Sequence, residues 1–228
     1  MKTLSLYEFG GSETLLREFH SRFIPFFRGH TPVLDLGCGR GVFLGLAAEA
    51  GIEAVGVDHS QESLEICRRK GFAVHHENAI RFLSESPRRF GGIFCSHLIE
   101  HMSYEEATRF LDLCHQALVP GGRLLVVTPN PEDLAVISQI FWLDPTHVRP
   151  YPKLLVERML TAAGFHVIYS QQLLGSWRMI GRRKLPAYFL RRMLLGRYYG
   201  RPNTVILAGK NNDLGQDTAE KVSCQNRP

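Results

Sequence analysis

At 228 residues and 44% hydrophobic content, the chain is long enough to bury one sizeable core and too apolar to remain disordered. Its formal charge of +5 hides an asymmetry, since eight of its basic residues and no acid lie between Trp177 and Arg201. The remainder is net acidic, so the basic balance belongs to one segment and excludes a chain-wide polyanion-binding surface.

Met1 to Gly11 carries Glu8 and Gly10–Gly11 where a signal peptide needs an apolar run, so a cytoplasmic location is expected. Residues 12–27 place Leu15, Leu16, Phe19, Phe23, Phe26 and Phe27 about one helical turn apart, with Ser12 as N-cap, and predict an amphipathic leading helix. VLDLG (33–37) reads as a strand, 41–50 as a helix, EAVGVD (53–58) as a strand, 61–71 as a helix and FAVHH (72–76) as a short strand. GIFCSHL (92–98) is a fourth strand, and 104–118 a helix with Ala107, Phe110, Leu111 and Cys114 on one stripe, stopped by Pro120–Gly121–Gly122. RLLVVTP (123–129) is a fifth, buried strand, and 130–150 an irregular stretch of a length typical of functional loops. A helix at 152–163, a strand HVIYSQQLL (166–174) and a last strand TVILAG (204–209) complete the pattern, and the chain turns polar after Lys210. Regular β-α-β alternation predicts an α/β fold with a doubly wound, mostly parallel sheet and helices on both faces. Cys38, Cys67, Cys95, Cys114 and Cys224 have no CxxC spacing, so buried free thiols are expected, and no metal site is implied.

Gly37, Gly39 and Gly41 follow the first strand directly and open a helix, which lets the backbone approach a ligand closely and take positive φ. A dinucleotide fingerprint needs a further glycine where Val42 stands, so a phosphate cradle is disfavoured. Asp58 ends the second strand at the carboxyl edge of the sheet, where a carboxylate meets the ribose hydroxyls of a nucleoside. Alone, the glycine turn is equally a tight strand-to-helix connection; with Asp35, Asp58 and the later Pro-Gly-Gly turn it points to a nucleoside site.

VLDLGCGRG (33–41) resembles motif I of the class I S-adenosylmethionine-dependent methyltransferases, and EAVGVDHS (53–60) resembles their second motif. ENA (77–79), SHLIEHM (96–102) and LVPGGRLLVVTPNP (118–131) are similar to later signatures of that family, so the resemblance spans residues 7–174. It implies a Rossmann-like, seven-stranded methyltransferase fold with an antiparallel last strand, and S-adenosyl-L-methionine as cofactor. Gly37, Cys38, Gly39 and Gly41 would then line the methionine and ribose end, with Asp35 helping to hold the amino group. Asp58, with His59 beside it, would bind the ribose, Asn78 and Ala79 the adenine, and Ser96 and His97 would lie by the transferred methyl. Asn78 stands where the family usually has an acid. The implied organisation is an N-terminal lid and helix (1–30), a cofactor-binding core (31–174), a basic aromatic insertion (175–202), a last strand (203–210) and a polar tail (211–228).

A sulfonium methyl is already activated, so the protein must chiefly hold the acceptor in line and exclude water. A base is needed only for an acceptor that is protonated at neutral pH. Glu100 and His101 follow the fourth strand, and a similar Glu-His pair serves acid/base work in some small-molecule methyltransferases, so they are the first catalytic candidates. The simpler reading packs His101 against a neighbouring loop and has Glu100 cap the helix that begins near Ser103. His147, in a loop shared with Asp144, Arg149 and Tyr151, is the second candidate.

GGSET (10–14), EHM (100–102), TPNP (128–131) and DPTHVRPYP (144–152) together resemble a bacterial subgroup associated with surface-polysaccharide and O-antigen synthesis. That implies a sugar hydroxyl or sugar-linked phosphate acceptor, with Tyr7 to Ser12 folding over the cofactor as a lid. Two alternatives stand beside it: O-methylation of a small aromatic or quinone-like acceptor, and a non-catalytic cofactor-binding regulator. In the basic segment, Trp177, Tyr188, Phe189, Met193 and Tyr198 interleave with arginines, and 186–199 suits a helix. It reads either as a substrate-domain helix with a solvated basic side or as an interfacial helix meeting anionic lipid; nucleic acid is not the expected partner.

Overall fold

The structure, a computed structural model, describes residues 13–87, 89–173 and 185–211. Strands β1 (Val33–Leu36), β2 (Ala54–Asp58), β3 (Val74–His76), β4 (Phe90–Ser96), β5 (Leu118–Pro129), β6 (Phe165–Leu173) and β7 (Asn203–Lys210) form one sheet in the order β3-β2-β1-β4-β5-β7-β6. Every neighbouring pair is parallel except those of β7, which runs antiparallel to both β5 and β6. The expected seven-stranded α/β sheet with an antiparallel last strand is the one the chain forms.

Both faces of the sheet are covered, which is why its central strands are continuous apolar runs. Successive side chains point to opposite faces. Leu34, Leu36, Ile93 and Cys95 therefore join one core cluster with Leu83, Phe110 and Leu160, from α4 (Ala79–Glu85), α5 (Tyr104–Ala117) and α7 (Lys153–Ala162). Val33, Phe94, Leu125 and Val127 join the other with Phe43 of α2 (Val42–Glu49) and with Phe23 and Phe27, which follow α1 (Glu13–Ser21). Helix α3 (Gln61–Arg69) buries Leu64 against Cys38 and Leu44. Cys38, Cys67, Cys95 and Cys114 are free and buried, as expected.

Several boundaries differ from the sequence pattern. The leading helix ends at Ser21, and a 3-10 turn over Ile24–Phe27 takes Pro25 in its first turn, where a missing amide donor costs nothing. Helix α4 is unexpected: ENA reads as a ligand motif, yet Asn78 Oδ1 accepts from the N–H groups of Ile80 (2.9 Å) and Arg81 (3.2 Å) and starts a helix. Helix α5 ends at Ala117, before the Pro-Gly-Gly turn, which is part of β5. The stretch 130–150 is not irregular throughout, since Asp133 caps a short helix α6 (Leu134–Ser138) and a 3-10 turn follows over Ile140–Leu143. The last α-helix among the described residues is α8 (Leu185–Leu195), and a 3-10 turn over Gly196–Tyr198 follows it. Ser12 as N-cap, the Tyr7 to Ser12 lid, Cys224, the polar tail beyond Asn211 and residues 174–184 of the basic segment lie outside the described residues.

Candidate functional site

The carboxyl ends of β1 and β2, the start of α4 and the turn after β4 enclose a cleft. Gly37, Asp58, His59, Asn78 and Ala79 line it, together with Leu98 and Met102 from the turn after β4. Gly37, Gly39 and Gly41 have φ values of 74°, 51° and 76°, so the turn leaving β1 is left-handed at every second residue. At Gly41 a Cβ would meet Cys67 Sγ and the Phe72 ring at 2.9 Å, so both backbone and space exclude a side chain there.

Asp58 organises this turn. Its Oδ2 accepts from the Gly39 N–H and its Oδ1 from the Ser60 N–H, each at 2.8 Å. Each carboxylate oxygen keeps a second lone pair, the acceptor set that a pair of vicinal hydroxyls requires. His59 is exposed, with Nδ1 3.8 Å from Asp58 Oδ1. Asp35 lies buried beneath the turn, and its Oδ2 has no hydrogen-bond partner among the described residues. Burial, and then the charge of Asp58, hold its carboxyl well above the ordinary carboxylate range. A buried orphan acceptor beside a glycine turn is what an ammonium group would satisfy. The Cys38 thiol is also pushed up, first by its hydrogen bond with Cys67 and then by burial.

At the start of α4, the capping bonds commit Asn78 Oδ1, which leaves its amide NH₂ as the free side of that residue. Glu77 also lines the cleft, and its Oε1 accepts from the Asn78 N–H at 2.9 Å. Glu77 belongs to the ENA motif but receives no role from the resemblance, although an acid directly before the position that usually holds one is a usable signal.

The end of β4 gathers a second group. Ser96 Oγ lies 3.4 Å from Nε2 of His20, a residue of α1 that the sequence pattern does not single out, although it falls four residues after Leu16 on the inward face. The His20 ring meets Phe94 edge-on at 5.2 Å. Its Nδ1 is buried without a partner among the described residues, and burial, aided by His97, pulls the imidazole down to about 3. His97 Nδ1 is 3.0 Å from Glu100 Oε1. Glu100 is 0% exposed, and its Oε2 accepts from Thr128 Oγ1 at 3.1 Å.

His101 and His147 are placed differently. Thr146 Oγ1 donates to Asp144 Oδ1 (2.6 Å), so it accepts from His101 Nδ1 (2.9 Å). His147 Nδ1 donates to the Phe141 carbonyl at 2.6 Å, and the two imidazoles lie 4.8 Å apart. With Val148 N–H donating to the Glu100 carbonyl at 2.8 Å, these contacts pin the loop 139–150 to the turn after β4. Glu100 is not the cap of α5, because Ser103 and Glu106 form a capping box there. Tyr151, fully buried, donates to the carbonyls of Met102 and Ser103, and burial pushes its phenol up to about 12, so it is structural. A ligand atom from each of Glu100, His101 and His147 lies within 4.8 Å of the others. Both Glu100 oxygens and both Nδ1 atoms are hydrogen-bonded to neighbouring residues.

Comparison with known proteins agrees with this geometry. The family described as a methyltransferase domain matches residues 11–170. A SAM-dependent methyltransferase from Archaeoglobus fulgidus is 30% identical, with 89% of this chain and 96% of that one covered and a TM-score of 0.77. The magnesium protoporphyrin IX methyltransferase of Synechocystis, solved with bound SAM, shares the fold at 14% identity and a TM-score of 0.58, covering 87% of this chain and 81% of that one. Curated relatives include the mitochondrial ubiquinone biosynthesis O-methyltransferase of Mus musculus, 30% identical over 49% of this chain and 32% of that protein. The ubiquinone biosynthesis O-methyltransferase of Aromatoleum aromaticum is 31% identical over 43% of this chain and 44% of that one. The chain thus spans less than half the length of these two relatives. S-adenosylmethionine supplies an activated methyl group when bound, and the residues present suit it: Asp58 for the ribose hydroxyls, orphaned Asp35 for the ammonium and the glycine turn for close approach. The chain belongs to the class I S-adenosylmethionine-dependent methyltransferases.

Proposed function

We propose that this enzyme methylates a hydroxyl of a small phenolic or quinone-like acceptor, working against an anionic membrane surface. The observation that carries the reading is that curated relatives aligned with this chain are named as O-methyltransferases of ubiquinone biosynthesis. They favour the small-molecule alternative over the glycan acceptor that the DPTHVRPYP loop suggests. Imidazoles and a buried carboxylate at the end of β4 support a hydroxyl acceptor over a sugar-linked phosphate, because a hydroxyl needs a base and a phosphate needs only cations.

The membrane part of the reading is supported by α8. Phe189, Leu190, Met193 and Leu194 are exposed on it, and Arg191, Arg197 and Arg201 accompany them with no acid in the segment. No helix of the described residues is long and apolar enough to cross a membrane, so the contact would be peripheral. The test is mass spectrometry of products after the purified protein and S-adenosylmethionine are given, separately, a panel of phenols and a lipid-linked glycan fraction. A methylated phenol is the expected result; methyl transfer confined to the glycan fraction would overturn the reading.

A further inference from the structure

We infer that His97 takes the proton from the acceptor hydroxyl, with Glu100 as its positioning residue, an assignment that rests on the hydroxyl-acceptor reading above. Among the described residues, His97 alone combines a side chain with a positive φ, 55°. A left-handed conformation is unfavourable for a residue with a side chain, and the His97 N–H is held there by the Val127 carbonyl at 2.9 Å. The strained turn carries the chain from β4 into the 3-10 turn Ile99–His101, and this brings residues 97 and 100 together.

Glu100 is fully buried, and its two oxygens are engaged by Thr128 and by His97. An ionised carboxylate can only accept, so the proton of the neutral imidazole sits on Nδ1 and the lone pair on Nε2. The ring is 41% exposed, which leaves Nε2 open to an acceptor, and Glu100 is in place to stabilise the imidazolium that forms. The position is also right. Leu36 and Cys95 are paired on adjacent strands, so Gly37 lies level with Ser96, and His97 leaves β4 one residue further on. Leu98 lies 3.4 Å from where a Gly37 Cβ would stand, and it lines the cleft.

The other imidazoles are less suited. His101 and His147 use Nδ1 to fix the loop 139–150. His20, facing His97 from α1, is held neutral by burial, so it would be a feeble base. In the step itself, the acceptor O–C bond forms as the methyl's bond to sulfur breaks and its electron pair returns to sulfur. The hydroxyl proton passes to His97 Nε2 and then to water.

The test is turnover of catechol and of 4-nitrocatechol by the full chain with S-adenosylmethionine; the nitro compound is largely ionised at neutral pH and needs little help from a base. For His97→Gln, turnover of catechol falls about 10²–10⁴-fold and turnover of 4-nitrocatechol less than about tenfold, with S-adenosylmethionine affinity by calorimetry kept. His97→Gly relieves the backbone strain, and added imidazole restores its catechol turnover. Glu100→Gln shows the same asymmetry between acceptors as His97→Gln, to a smaller degree. Equal losses on both acceptors, or no loss on either, would overturn the base assignment while leaving the acceptor reading intact. A wild-type enzyme that binds S-adenosylmethionine yet methylates neither these catechols nor any other phenol would sink the acceptor reading and this assignment with it.

Discussion

Asp58, the last residue of β2, accepts a hydrogen bond at 2.8 Å from the backbone N–H of Gly39, in the middle of the turn that follows β1. One carboxylate therefore shapes the glycine turn and keeps further lone pairs, which in our reading meet a ribose. Asp58→Ala removes both. A hydrogen bond to a charged group is worth about 1.5–3 kcal/mol, so the Kd for S-adenosylmethionine is expected to rise roughly ten- to hundredfold or more. Titration calorimetry reads this directly, and an unchanged Kd would remove Asp58 from the site.

Asp35 predicts a proton release. Its carboxyl lies well above its ordinary value of 3.8, through burial and then through repulsion from Asp58. A cation bound beside it favours the ionised form, so binding expels a proton from the fraction of molecules in which Asp35 is protonated. Cofactor affinity consequently increases as pH rises from about 3.8 through the raised value, and not the reverse. Calorimetry in two buffers of different ionisation heat will show a buffer-dependent enthalpy over that range, which Asp35→Asn abolishes. Equal enthalpies for the wild type across the range would mean that no ammonium meets this carboxylate.

Where these two carboxylates sit is legible in the sequence, because Asp58 closes β2 and Asp35 lies one residue before the end of β1, and strand ends follow from alternation and glycine spacing. The His97–Glu100 pair is not. Glu100 is next to His101 in the chain, and adjacency suggests a Glu-His couple; the left-handed residue and the 3-10 turn instead join Glu100 to the residue three before it. The His20 contact with Ser96 spans 76 positions, a separation that no local pattern encodes. Helix α4 is missed for a related reason, since Asn78 serves as an N-cap in a place where the resemblance suggests a ligand contact. The loop 139–150 looks like a store of catalytic groups, and Nδ1 of its His147 and Nδ1 of His101 also hold it in place.

His20 predicts an acid-sensitive core. Its imidazole is lowered from 6.5 to about 3 in the folded protein, chiefly by burial. Between those values the unfolded chain binds the proton and the folded chain does not, so stability is present above pH 6.5 and is lost as pH falls towards 3. The loss from this residue is at most about 1.4 kcal/mol per pH unit. His20→Phe, which keeps an aromatic ring against Phe94, is expected to flatten that part of the urea-unfolding profile between pH 6 and pH 4. A profile of unchanged slope would mean that His20 is protonated in the folded state.

Helix α8 predicts lipid selectivity. Met193 and Leu194 are 75% and 71% exposed, and the helix packs chiefly on the turn that follows it, so its apolar side is not spent on the core. Arginines near an anionic surface contribute about 1 kcal/mol each, and apolar side chains at the acyl boundary add burial. The protein is therefore expected to sediment with vesicles containing phosphatidylglycerol, to release them in high salt and to bind pure phosphatidylcholine weakly. Reversing both Arg191 and Arg197 to glutamate weakens sedimentation by about thirtyfold or more, since each loses its own attraction and adds repulsion. Leu194→Asp removes the apolar share and, at so exposed a position, leaves the melting temperature in place. Equal sedimentation with neutral and anionic vesicles would remove the arginines from the contact. No sedimentation with either would leave the phenol reading standing and strip it of its membrane surface, because acceptor chemistry at the end of β4 and lipid contact at α8 draw on separate residues.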